Sequence, residues 1–155
     1  MKQIVRILRD PEADANVPLP RFATPGSAGA DVYANLRPIC RSAGQVVLPM
    51  ERVLVPAGFR VEIPAGFELQ VRPRSGLAHR HGITVLNAPG TIDSDYRGPV
   101  GILIANLGQK PYTIRHGDRI AQLIFAQVLD FAFADVQELA QSSRGEGGFG
   151  STGSN

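Results

Sequence analysis

Asn87-Ala-Pro-Gly-Thr-Ile-Asp-Ser-Asp-Tyr-Arg-Gly98 is the stretch whose reading decides the fold. Apolar segments flank it, Ile83 to Leu86 and Val100 to Ala105, so it reads as a β-hairpin with a polar tip. A turn centred near Ser94 sets Asn87 opposite Gly101 and puts Asp93 and Tyr96 at the bend. An amide, a bare backbone edge, a carboxylate and an aromatic ring then share one concavity. That set suits a planar base, a sugar and an activated water, whereas a purely structural hairpin needs only the turn.

Outward from the hairpin, strand signals dominate. Ile4 to Leu8, Asp31 to Asn35, Val46 to Leu48 and Arg52 to Val55 are short and rich in β-branched residues, with Gly or Pro nearby. Pro56-Ala-Gly-Phe-Arg-Val-Glu-Ile and Pro64-Ala-Gly-Phe-Glu-Leu-Gln-Val echo one another, each a turn followed by period-two alternation. Further strands are predicted at Ile83 to Leu86, Val100 to Asn106, Tyr112 to Arg115, Ala121 to Val128 and Phe131 to Val136. One segment, Ser75 to His81, has the makings of a helix of about two turns. Many short strands at near-regular spacing indicate an all-β sandwich or barrel.

Composition agrees. Seventeen Gly and twelve Pro in 155 residues favour turns over a helical bundle, and 43% hydrophobic residues suffice for a core. A net charge of +2 is too weak for a protein whose main business is the nucleic-acid backbone. No apolar run approaches the ~20 residues that span a bilayer. Cys40 is the single cysteine, which excludes a disulfide framework and a Cys-based zinc site. The expectation is a cytoplasmic protein with neither nucleic-acid nor membrane partners. The sequence divides into a β domain over residues 1–140 and a polar, Gly-rich arm over 141–155, expected to be mobile.

Four other segments carry candidate chemistry. Pro73-Arg-Ser-Gly-Leu-Ala78 follows a strand and opens the helix, offering backbone N–H groups with Arg74 and Ser75; it reads as an anion cradle or as an ordinary capped helix. Gly117-Asp-Arg-Ile-Ala-Gln122 presents Arg119 and Gln122 at a strand start, or is a surface hairpin with an Asp118–Arg119 ion pair. Asp31 in Ala28-Gly-Ala-Asp31 caps a turn or holds a metal-bound water. In Arg144-Gly-Glu-Gly-Gly-Phe-Gly-Ser-Thr152 the spacing imitates a P-loop, but Ser151 stands at the lysine position and no strand precedes it. Arg144 and Phe149 there suit a phosphate hook and a base-stacking lid, while composition alone suits a linker. His79, His81 and His116 lack a third metal ligand and read as exposed or hydrogen-bonded histidines.

Taken in order, these five segments resemble the five motifs of the trimeric dUTPase family (dUTP diphosphatases), over roughly residues 20 to 152. The resemblance implies an all-β, jelly-roll-like sandwich or barrel with one short helix, assembled as a homotrimer with active sites at subunit interfaces. It implies Mg²⁺-assisted hydrolysis of dUTP to dUMP and pyrophosphate, which limits uracil incorporation into DNA and supplies dUMP for thymidylate synthesis. Position by position, Asp93 is the base that activates water for attack on the α-phosphorus. Asn87 and the backbone near Gly101 read uracil, Thr91 and Ile92 line the deoxyribose, and Tyr96 packs beneath the sugar to exclude a 2′-hydroxyl. Arg74, Ser75, Gly76 and Gln122 hold phosphates, Arg144 grips the γ-phosphate and Phe149 covers the base. Asp31 orients a water on Mg²⁺, itself held mainly by substrate phosphates, and Arg119 lends electrostatic support.

One departure stands at Pro99, where many relatives carry an acidic or polar residue; lacking an N–H, it is expected at an unpaired or edge position. Two alternatives share the fold. A dCTP deaminase-like enzyme needs a buried Glu, whereas Glu62 and Glu68 alternate on strands that read as exposed. A non-catalytic nucleotide-binding domain binds dUTP without releasing pyrophosphate.

Overall fold

The computed structural model describes residues 2–148. Its strands are β1 (Arg6–Arg9), β2 (Arg21–Phe22), β3 (Gly29–Tyr33), β4 (Gln45–Val47), β5 (Arg52–Pro56), β6 (Phe59–Glu62), β7 (Phe67–Arg72), β8 (Ile83–Val85), β9 (Gly90–Ile92), β10 (Gly101–Asn106), β11 (Tyr112–Ile114) and β12 (Arg119–Gln127). The helix α1 covers Ser75–His81 as expected, and a single 3₁₀ turn, Pro38–Cys40, was not expected. Gly82, at φ 68°, caps α1 in the left-handed region that a residue with a Cβ disfavours. No helix among the described residues is long and apolar enough to cross a membrane.

A five-stranded antiparallel sheet, β2-β3-β12-β7-β9, faces a three-stranded sheet, β5-β10-β8, with the pairs β1-β6 and β11-β4 alongside. The period-two alternation seen in the sequence explains the packing, because alternate residues of each strand point into one core. Val32, Leu69, Val71, Ala121 and Leu123 enter it from the large sheet, and Val55, Ile83, Val85, Ile102 and Ile104 from the smaller one. All are buried, with Phe59 and Val61 of β6 among them. This is the all-β sandwich that the strand spacing indicates.

Two expectations are corrected. Phe131 to Val136 forms no strand: after Val128 donates its N–H to the Gly66 carbonyl, the chain runs irregular and exposed to Gly148. The alternating apolar side chains are there, with Phe131 and Phe133 71% and 94% exposed, but no strand lies beside them to pair with. The hairpin around Ser94 is not symmetric either. β8 pairs with β10 with Val85 against Ile104, but the ladder ends at Val85 and Asn87 lies in the turn that follows, where the Ala88 N–H donates to the Val85 carbonyl. β9 leaves its own hairpin partner to pair with β7, Thr91 against Gln70. The hairpin therefore straddles the two sheets, and its tip is a turn in which Tyr96 N–H donates to the Asp93 carbonyl at 3.2 Å. Pro99 lies outside any strand, as its missing N–H requires.

Candidate active site

The central strand β12 builds the site. In its register Gln122 faces Asp31 of β3 on one side and Arg72 of β7 on the other. One residue beyond Arg72, Pro73 stops the ladder and turns the chain into α1 through Arg74, its N-cap residue in extended conformation. The start of α1, the middle of β3 at Asp31 and the first half of β12 consequently converge. A concavity of ≈ 300 Å³ opens there, lined by Ser27, Gly29, Asp31, Arg74, Gly76 and Gln122, with Ser75 and Arg119 at the same wall.

The Asp31 carboxylate organises it. Arg74 Nε donates to Asp31 Oδ1 at 3.1 Å, and Arg119 Nη1 donates to Asp31 Oδ2 at 3.1 Å. Two guanidinium groups against one carboxylate leave a surplus positive charge, and the Asp31 side chain is only 13% exposed. Arg74 Nη1 also reaches the Arg119 carbonyl at 3.4 Å, which ties the motif after β7 to the one opening β12. Gln122 Nε2 donates to the Pro73 carbonyl at 3.1 Å. The register of β12 against β3 shifts between Arg119 and Ala121, a bulge-like irregularity next to the residue that reaches Asp31. Ser75 and Gly76 head the helix, where backbone N–H groups have no partner within the helix. The result is an anion cradle held in place before any ligand arrives. Arg119 pairs with Asp31 and not with Asp118, whose carboxylate instead accepts the Arg115 N–H at 2.8 Å.

Gly29 completes this wall. A Cβ placed on it would lie 2.4 Å from Gln122 Oε1 and 2.9 Å from Ile124 Cδ1, so only glycine lets Gln122 lie across β3. Gly29 and Ser27 were not singled out from the sequence; the run of small residues around Ala28-Gly-Ala30 is the signal that marks such a close approach.

Of the hairpin residues, Tyr96 and Gly101 line a separate hollow, and Asn87, Thr91 and Asp93 do not line it. Tyr96 is 44% exposed, donates its hydroxyl to the Pro99 carbonyl at 3.1 Å, and lines a hollow of ≈ 390 Å³ with Leu54, Val100 and Gly101. Asp93 and Asn87 are exposed, as is Thr91. Ile92, 8% exposed, belongs to the core, and its backbone runs in the β9–β7 ladder opposite Leu69. The cradle and the hairpin hollow share no lining residue. Arg144 is exposed on the arm and donates to the Gly147 carbonyl at 2.7 Å, a local contact away from both hollows. Phe149 lies outside the described residues.

The candidate bases and ligands for other chemistries are differently placed. Glu62 sits at the surface in an ion pair with Arg6 at 2.7 Å, and Glu68 on β7 accepts from Gln70 Nε2 at 2.6 Å. The buried polar residues among those described are Asn35 and Asn106, so no buried glutamate is available to a deaminase mechanism. No group of three or more His, Cys, Asp or Glu is clustered as a metal site among the described residues. His79 and His81 are exposed, and His116 is hydrogen-bonded on both ring nitrogens.

Fold and site define a class: a β-sandwich carrying a preformed arginine-lined anion cradle beside an exposed carboxylate-bearing hairpin. A dUTPase family model matches residues 15–153. A relative from Dinoroseobacter shibae, a deoxyuridine 5'-triphosphate nucleotidohydrolase, is 54% identical over 153 residues, 99% of each chain. One of the same name from Desulfotalea psychrophila is 55% identical over 135 residues, 87% of each. Among solved structures, the Staphylococcus bacteriophage 80alpha dUTPase with dUPNHPP superposes with a TM-score of 0.83 at 24% identity, covering 98% of this chain and 99% of that one. A phage phi11 dUTPase variant, solved to reveal the coordination of a structural Mg(II) ion, gives 0.73 at 21% identity over 89% and 99%. The chain belongs to the dUTPase family.

Proposed function

We propose that this protein hydrolyses dUTP to dUMP and pyrophosphate, with the triphosphate in the Asp31–Arg74–Arg119–Gln122 cradle. The observation that carries the reading is the cradle itself, two arginines already fixed on one carboxylate in a family of nucleotidohydrolases. Phosphate oxygens compete for the same guanidinium donors, and the positions of Ser75 and Gly76 add backbone N–H groups. Developing charge on the departing pyrophosphate then meets donors already in place.

Asp93 is the base. A water between its carboxylate and the α-phosphorus gives a proton to Asp93 as its oxygen bonds phosphorus; the bond to the bridging oxygen breaks and pyrophosphate leaves. Asn87 and the strand edge at Gly101 read uracil, Thr91 and the Ile92 backbone line the deoxyribose, and the Tyr96 ring closes the space a 2′-hydroxyl would need. Arg144 takes the γ-phosphate, and Phe149 is assigned as the lid over the base.

Mg²⁺ fits the donor set. A single carboxylate, Asp31, at the edge of a phosphate cradle is the sparse protein contribution typical of Mg²⁺, which keeps waters and takes phosphate oxygens. When bound, the ion neutralises phosphate charge. Asp31 would hold it through a water, using lone pairs not taken by the arginines.

The assembly is a homotrimer with each active site at subunit interfaces. Two observations support this. The cradle and the hairpin hollow are separate within one chain, so a complete site calls for a hairpin from a neighbour. The chain also exposes Phe22, Met50, Leu54, Leu129, Phe131 and Phe133, apolar side chains that a neighbouring subunit would cover. The working unit is a β domain over 1–140 with a 141–155 arm closing over a site, in the cytoplasm. Pyrophosphate release across the eight common nucleoside triphosphates with Mg²⁺ tests the reading. Release from dUTP alone is expected; ammonia from dCTP, or no pyrophosphate from dUTP, would overturn it.

A further inference from the structure

Three residues before Arg119, a histidine ties three segments together. His116 Nδ1 accepts the Leu36 N–H at 3.0 Å, and Nε2 lies 3.2 Å from Asp14 Oδ2. An Nδ1 that accepts leaves the ring proton on Nε2, so Nε2 donates to the carboxylate and the tautomer follows from the contacts. Asp14 is itself held firmly. Its N–H donates to Asn35 Oδ1 and its carbonyl accepts from Asn35 Nδ2, both at 3.0 Å, and Asn35 is buried. The Asn16 N–H donates to Asp14 Oδ1 at 2.9 Å, and this bond, with the one from His116, holds the carboxyl below the usual carboxylate range.

The turn that follows His116 leads into the cradle. Gly117 N–H donates to the Ala34 carbonyl and Ala34 N–H to the Asp118 carbonyl, both at 2.8 Å. The next residue is Arg119, which reaches Asp31. Residues 34–36 directly follow β3, the strand that carries Asp31, so His116 ties the turn before Arg119 to the chain just beyond Asp31.

We propose that His116 is a positioning residue for the dUTPase reaction: by bridging Leu36 N–H and the Asp14 carboxylate, it fixes the Arg115–Asp118 turn so that Arg119 meets Asp31 before substrate binds. This rests on the cradle being the triphosphate site. Steady-state kinetics of full-length His116→Ala, Arg119→Ala and the double variant with dUTP and Mg²⁺ test it, alongside His116→Asn, whose Oδ1 can still accept from Leu36 N–H. His116→Ala raises KM about tenfold with kcat changed less than about twofold, and His116→Asn recovers part of that loss. In the Arg119→Ala background, removing His116 adds nothing further, because the ring acts through that guanidinium. Multiplying effects in the double variant, or a fall in melting temperature with KM unchanged in both His116 variants, would overturn the proposal. An Arg119→Ala variant with unaltered KM would sink the cradle reading instead.

Discussion

Asp31 and Arg74, 43 residues apart in sequence, meet through an Nε–H···Oδ1 bond of 3.1 Å. Arg119 occupies the other carboxylate oxygen at the same distance. Replacing Asp31 by Asn removes the one negative charge between two guanidiniums, and a neutral amide cannot accept from both in the same way. The expected outcome for Asp31→Asn is a folded protein whose kcat/KM for dUTP falls roughly tenfold or more, with a higher Mg²⁺ requirement. Titrating activity against Mg²⁺ checks it.

Gly29→Ala tests the packing of the cradle wall. The new Cβ would sit 2.4 Å from Gln122 Oε1, so Gln122 has to swing off the Pro73 carbonyl that it now donates to. Because the atom displaced is the end of a side chain, the fold survives. KM for dUTP is expected to rise about tenfold, against little change in thermal midpoint.

Tyr96→Ala addresses the sugar. The ring is braced by its hydroxyl on the Pro99 carbonyl and lies against Gly98, where a Cβ would come within 2.3 Å of that hydroxyl. Removing it opens the space that a ribose needs. Turnover of UTP, negligible in the parent, is expected to become measurable, and competition between UTP and dUTP reads the change.

Stability at acid pH follows from Asp14. Its carboxyl sits below the ordinary value of 3.8 when folded, chiefly through the Asn16 N–H and secondarily through His116. A depressed folded pKa means that the contribution is fully present above the unfolded pKa and is lost as pH falls through the folded one. Asp14→Asn is therefore expected to lower the unfolding midpoint at neutral pH, with the gap to the parent narrowing below pH 4. Chemical denaturation at a series of pH values measures it.

The sequence was legible where chemistry and periodicity act locally. Alternation marks β6 and β7, apolar β-branched runs mark β10 and β12, and Ser75 marks the start of α1. β2 and β9, of two and three residues, are too short to leave a periodic trace. The two arms of the hairpin do pair, β8 against β10, as their spacing implies, but spacing gives no sign that β9 between them crosses to pair with β7. Phe131 to Val136 has the pattern of a strand, but a ladder needs a partner that a lone segment cannot specify. The cradle residues were visible as motifs, although Gly29 was not, because its role lies in a cross-strand contact with Gln122. His116 looked like a generic histidine, since only the fold brings Asp14 and Leu36 to its two nitrogens.

On the proposed mechanism the exposed carboxylate of Asp93, at the hairpin bend, takes the proton from the attacking water. Asp93→Asn measured for both binding of a non-hydrolysable dUTP analogue and single-turnover pyrophosphate release tests this most directly. Binding within a few-fold of the parent is expected, with release slowed by roughly three orders of magnitude or more. Release at near-parental rate, with binding intact, would contradict it.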